Sequence, residues 1–68
     1  MRIQINGENI ELETNLTVTE LLAEHQVKMP DMVSVELNGE ILDRAAFATT
    51  EVADGDAVEF LYFMGGGR

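Results

Sequence analysis

Apolar and polar positions alternate with a period of two from the first residues of the chain. Ile3 and Ile5 share one side of Met1–Asn6, and Ile10 and Leu12 share one side of Asn9–Glu13 against Glu11 and Glu13. This is the spacing of half-buried strands, because successive side chains of an extended chain point to opposite faces. Asn6-Gly7, between the two runs, supplies residues that readily take the positive φ a tight hairpin turn demands. The N-terminus is expected to form a β-hairpin with one wet face.

The period changes at Thr17. Thr17-Val18-Thr19-Glu20 matches a capping box, in which a Thr hydroxyl and a Glu three residues later satisfy each other's backbone donors at a helix start. Leu16 and Leu21 are spaced to staple that start. Val18, Leu21, Leu22 and His25 follow at helical spacing, with Glu20, Glu24 and Gln26 opposite, which predicts one amphipathic helix ending before Pro30. Period two returns from Val33 to Leu37, Asn38-Gly39 marks a second tight turn, and a short strand is expected around Glu40–Leu42. Asp43–Thr50 has no clean period and reads as a helical turn followed by a loop anchored by Phe47. Asp54-Gly55-Asp56 is a further turn, and Ala57–Phe63 is the most β-prone segment of the chain.

The order is strand, strand, helix, strand, short strand, strand, with the last strand free to run between the first and third. That is an α+β fold of the β-grasp (ubiquitin-like) arrangement, a mixed sheet of about five strands with one helix packed across it. A ferredoxin-like or other small α+β topology satisfies the same pattern. The expected core is Ile3, Ile5, Leu12, Val18, Leu21, Leu22, Val33, Val35, Leu37, Val58 and Phe60. On the last strand, period two groups Val58, Phe60 and Tyr62 on one face and Glu59, Leu61 and Phe63 on the other. Glu59 is costly to bury unpaired, so the second face is expected to be wet. Leu61 and Phe63 would then form an exposed apolar patch beside the C-terminal tail, as partner sites do.

Length and composition narrow the function. Sixty-eight residues make one small domain, expected over residues 1–63, followed by a flexible glycine-rich tail over 64–68. With 46% hydrophobic and 25% charged residues the chain has the apolar supply of a globular domain. The absence of cysteine removes disulfides, thiolate metal sites and any thiol nucleophile. A net charge of −9 repels phosphate backbones and anionic lipid, so neither nucleic acid nor membrane is expected as a partner. No apolar run suits a secretion signal or a membrane span, which makes the cytoplasm the expected location.

Catalytic constellations are missing. The single histidine, His25, lies near the apolar stripe of the helix with no partner signature, and a structural role is expected of it. The carboxylates are scattered along polar faces, no metal-ligand set stands out, and no helix follows Gly65–Gly67 to make it a phosphate loop. An independent enzyme with a bound cofactor is not expected. The tail is different: a strand holds out a slim peptide whose residues lack Cβ atoms, the form needed to thread a chain end into a narrow channel.

The segments Val35-Glu36-Leu37-Asn38-Gly39-Glu40-Ile41, Asp54-Gly55-Asp56, Val58-Glu59-Phe60 and Phe63-Met64-Gly65-Gly66-Gly67 together resemble the ubiquitin-like sulfur carriers of the ThiS/MoaD family. The likeness extends over essentially the whole chain and is greatest to the thiamine-biosynthesis branch. What the resemblance implies is a β-grasp protein whose Gly67 carboxylate, preceded by Gly66, is adenylated by an E1-like enzyme of the ThiF type. ATP would be the activating enzyme's, with no cofactor bound to this chain. Sulfur then makes a thiocarboxylate for a thiazole synthase of the ThiG type, with Leu61, Phe63, Met64 and Gly65 contacting the partners. The family pattern ends in the glycine pair, whereas Arg68 follows here. Arg68 is therefore expected to be removed by a processing peptidase, to be a cloning remnant, or to mark a divergent carrier. The alternatives are a carrier for cysteine, methionine or molybdopterin synthesis, a ubiquitin-like protein modifier, and a plain structural or binding module with a flexible tail.

Overall fold

In the computed structural model, residues 1–25 and 32–62 are described. Strands β1 (Arg2–Ile5) and β2 (Glu8–Glu11) form the N-terminal hairpin, with Arg2 opposite Glu11 and Ile5 opposite Glu8. Asn6 and Gly7 at its tip have φ of 51° and 86°. Two successive positive φ values match the turn to the right-handed twist of the strands, the reason Asn-Gly is favoured there. The second hairpin repeats the device: Asn38 and Gly39, at φ 53° and 87°, join β3 (Val33–Leu37) to the two-residue β4 (Glu40–Ile41).

Helix α1 runs over Val18–Glu24 and is seven residues long, too short to persist on its own. Its start is satisfied in full. Thr17 N–H donates to the Glu20 carboxylate at 2.9 Å, and Glu20 N–H to the Thr17 hydroxyl at 3.2 Å. Val18 and Thr19 N–H donate to the carbonyls of Thr50 and Phe47. The four donors that a helix N-terminus leaves open are thus met half by the capping box and half by the segment after β4. That segment contains a 3₁₀ turn at Arg44–Ala46, whose cap Asp43 accepts the Ala45 N–H, as the aperiodic stretch predicts.

The last strand, β5 (Ala57–Tyr62), lies parallel to β1 and antiparallel to β3, giving the sheet order β2-β1-β5-β3-β4. One helix and a central last strand leave the β-grasp arrangement and remove the ferredoxin-like alternative. No helix among the described residues is long and apolar enough to cross a membrane.

The core comprises Ile3, Ile5, Val18, Leu21, Leu22, Val33, Val35, Phe47, Val52, Val58 and Phe60. Leu12 and Leu37, expected within it, are only half-buried and pack against its margin. Val52, not expected, is 0% exposed. The segment carrying Val52 is stitched down by the Val52 N–H to Leu16 carbonyl bond and the Thr17–Glu51 bridge. A bond pattern between distant residues leaves no period for the sequence to display. His25 lies away from the core: it is exposed and closes α1, its N–H donating to the Leu21 carbonyl at 3.0 Å.

Candidate functional site

The end of β5 leads straight into the tail, so that end and the open sheet face beside it form the candidate site. Pairing places Leu61 opposite Ser34, Glu59 opposite Glu36, and Glu36 in turn opposite Ile41. Directly opposed residues share a face, and these lie on the side away from the helix, because Val58, Phe60, Val33 and Val35 hold the other side. Glu59 is exposed, as the cost of burying it requires.

Leu61 lies on this open face as its parity predicts, but half-buried rather than fully exposed. Tyr62 shares parity with Phe60 and stands opposite the buried Val33, yet it is 43% exposed, since burial along β5 ends at Phe60. The expected grouping of Tyr62 with Val58 and Phe60 on one face agrees with this register. Met32, immediately before β3, is 57% exposed, and Ile41 on the open face is 62% exposed. Neither was anticipated from the sequence; the parity of the second hairpin, counted from its Asn-Gly turn, contains the signal for Ile41. Phe63, Met64, Gly65, Gly66, Gly67 and Arg68 lie outside the described residues.

Electrostatically the open face is negative at its centre. Glu36 and Glu59 oppose each other across the β3–β5 pair, an arrangement that is mildly destabilising in a sheet. The two carboxylates lie between Leu61 on one side and Ile41 on the other. This suits a partner that brings a cation flanked by apolar groups.

A second depression, of about 640 Å³, opens at the far end of β5 and is lined by Met1, Arg2, Gln4, Glu11, Asp54 and Asp56 among others. Its charged groups are already engaged. Arg2 pairs with Glu11 at 2.7 Å, Asp54 accepts the Arg2 N–H at 2.7 Å, and Asp56 accepts from Ala53 N–H and from the Asn38 amide. These contacts hold the turn around Gly55, whose φ is 89°, against β1. Among the described residues no three His, Asp or Glu side chains converge to hold a metal ion.

Comparison with known proteins bears on the same residues. The ThiS family model matches residues 3–67. The sulfur carrier protein ThiS of Bacillus subtilis (strain 168) is 33% identical over 66 residues, covering 96% of this chain and 98% of that protein. A thiazole synthase of Paramagnetospirillum magneticum is 40% identical over 67 residues, which are 98% of this chain but only 20% of that protein, so the chain spans about a fifth of its length. Among solved structures, the crystal structure of a thiamine biosynthesis protein (ThiS) from Geobacter metallireducens is 54% identical, with a TM-score of 0.90 over 98% of this chain and 100% of that one. A solution structure of a thiamine biosynthesis protein from the same organism gives 53% identity and a TM-score of 0.79, covering 100% and 90% respectively.

Proposed function

The chain belongs to the ThiS family and is a sulfur carrier of thiamine biosynthesis rather than an enzyme, and from that premise we propose that its working group is the carboxylate of Gly67. A carboxylate is a poor acyl donor, so an activating enzyme of the E1-like, ThiF type must first supply a leaving group. The Gly67 carboxylate oxygen attacks the α-phosphorus of ATP and pyrophosphate leaves. Hydrosulfide supplied by a partner then attacks the acyl carbon, the bond to AMP breaks and AMP leaves, and loss of the sulfur-bound proton gives the thiocarboxylate. ATP belongs to the activating enzyme.

The observation that carries this reading is where the family match stops: it runs through β5 and the glycines and ends on Gly67. Arg68 falls outside it, and the proposal includes removal of Arg68 by a peptidase before activation. Gly65 and Gly66 give the end a form with no Cβ to obstruct a channel. Leu61, Phe63 and Met64 provide the apolar contact beside it. The likeness of a thiazole synthase to this chain over 67 residues supports a synthase of the ThiG type as the acceptor of the sulfur.

ATP–pyrophosphate exchange with the cognate activating enzyme tests the reading, run on the chain ending at Gly67, on the chain ending at Arg68, and on Gly66→Val ending at Gly67. Turnover is expected from the first alone. Valine adds a branched Cβ and restricts φ, so it blocks entry while leaving the melting temperature unchanged. Comparable exchange from the Arg68-terminated chain refutes trimming, and comparable exchange from the valine variant refutes threading. Intact mass of the sulfurated carrier should rise by roughly 16 Da, one oxygen exchanged for sulfur.

A further inference from the structure

The main chain of β5 sends the polar groups of alternate residues to opposite sides. Toward β1, the carbonyls of Asp56 and Val58 accept the N–H groups of Gln4 and Asn6, each at 2.9 Å. Toward β3, the Ala57 carbonyl accepts the Asn38 N–H at 2.7 Å. The pairing with β1 stops at Ile5 opposite Val58, because Asn6-Gly7 turns the chain back into β2. The Asn6 side chain then stands in for one more residue of strand, its Oδ1 accepting the Phe60 N–H at 2.9 Å. β5 nevertheless continues to Tyr62, held extended by β3 as far as the Val33–Tyr62 pair. Period two directs the Phe60 carbonyl and the Tyr62 N–H into the line that β1 has vacated. Among the described residues neither group meets a partner there.

The outer side of β3 is treated differently. Past the two-residue β4, the carbonyls of Val35 and Val33 accept from the Leu42 N–H at 2.8 Å and from the Arg44 guanidinium. Open main-chain groups on a rigid strand are a template for another strand.

We propose that an extended segment of the activating enzyme completes this line: one of its residues donates its N–H to the Phe60 carbonyl and accepts the Tyr62 N–H, parallel to β5 as β1 is. The inference rests on the reading above, that Gly67 is delivered to such an enzyme. Reach selects the occupant. From Phe63 to Gly67 the chain spans at most roughly 17 Å when extended, so an enzyme enclosing Gly67 closes around the end of β5. The exposed Tyr62, and the exposed Met32 next in sequence to its pairing partner Val33, give that contact apolar surface.

Amide hydrogen exchange on the carrier ending at Gly67, free and saturated with its cognate activating enzyme, tests the inference, with pyrophosphate exchange measured on the same samples. The Tyr62 N–H should exchange rapidly in the free carrier and at least about a hundredfold more slowly in the complex, while the Leu61 N–H, directed at β3, is slow in both. Tyr62→Pro deletes the donor on a side that β3 does not use, and Leu61 before it is already extended as proline requires. Tyr62→Ala removes the same ring and keeps the donor. The proline variant should bind about tenfold or more weakly than the alanine variant. Should proline disturb β5, exchange on the unaltered sequence decides. An unprotected Tyr62 amide in an active complex, or equal affinities of two folded variants, overturns the inference and leaves the proposed function standing. Absence of adenylation from the chain ending at Gly67 overturns both.

Discussion

Asn38 shows how much a single turn residue carries. Its φ of 53° lies in the left-handed region, its Oδ1 accepts the Ala57 N–H at 2.9 Å, and its Nδ2 donates to Asp56 at 3.0 Å. Asn38→Gly removes the two bonds and keeps the backbone free, while Asn38→Ala removes them and adds left-handed strain. In denaturant melts alanine should be less stable than glycine by about 1–2 kcal/mol, the cost of that conformation for a residue with Cβ, and both should be less stable than the parent. Core residues divide in a related way. Leu21→Ala should cost about 2–5 kcal/mol and Val52→Ala about 2 kcal/mol, against a change within about 0.5 kcal/mol for the exposed Ile41→Ala. The Asn-Gly turn and the burial of Leu21 were legible in the sequence. The reach of the Asn38 side chain to β5, and the burial of Val52, were not, because both depend on residues from another part of the fold.

Elements here are short, and each leans on a neighbour. Helix α1 is held by its capping box and by the two carbonyls that the later loop offers to Val18 and Thr19. Thr17→Ala should lower stability by about 0.5–2 kcal/mol, and Thr17→Ser, which keeps the hydroxyl, should restore most of it; thermal melts of the three chains decide. The box was readable because it lies within four consecutive residues. Parity on β5 was readable for the same reason and placed Glu59 and Leu61 on the open face. Where burial along the strand ceases was not readable: parity gives the face of Tyr62, shared with Val58 and Phe60, and says nothing of its exposure.

At the scale of the molecule, −9 of net charge is carried by a body only 68 residues long. Like charges such as Glu36 and Glu59 repel within it, and salt screens them. Raising ionic strength from about 0.01 M to about 0.15 M should lift the melting temperature by about 4–8 °C, the shift that roughly 1 kcal/mol produces in a domain of this size. A flat or falling melting temperature would show that the charges are already compensated in pairs. The order of elements, the two hairpin turns, the helix start and the alternation of faces were determined by the sequence itself. Each of these is a preference of a few adjacent residues for a φ, a cap or a period, and needs nothing distant to be expressed. Tertiary structure alone decided that Val52 is covered, that Tyr62 emerges, that Asn6 and Asn38 tie the hairpin tips to β5, and that the β1 side of the last strand is left open. Those outcomes depend on where one element ends relative to another, and that is set only when residues some 50 positions apart, such as Asn6 and Phe60, are brought into contact.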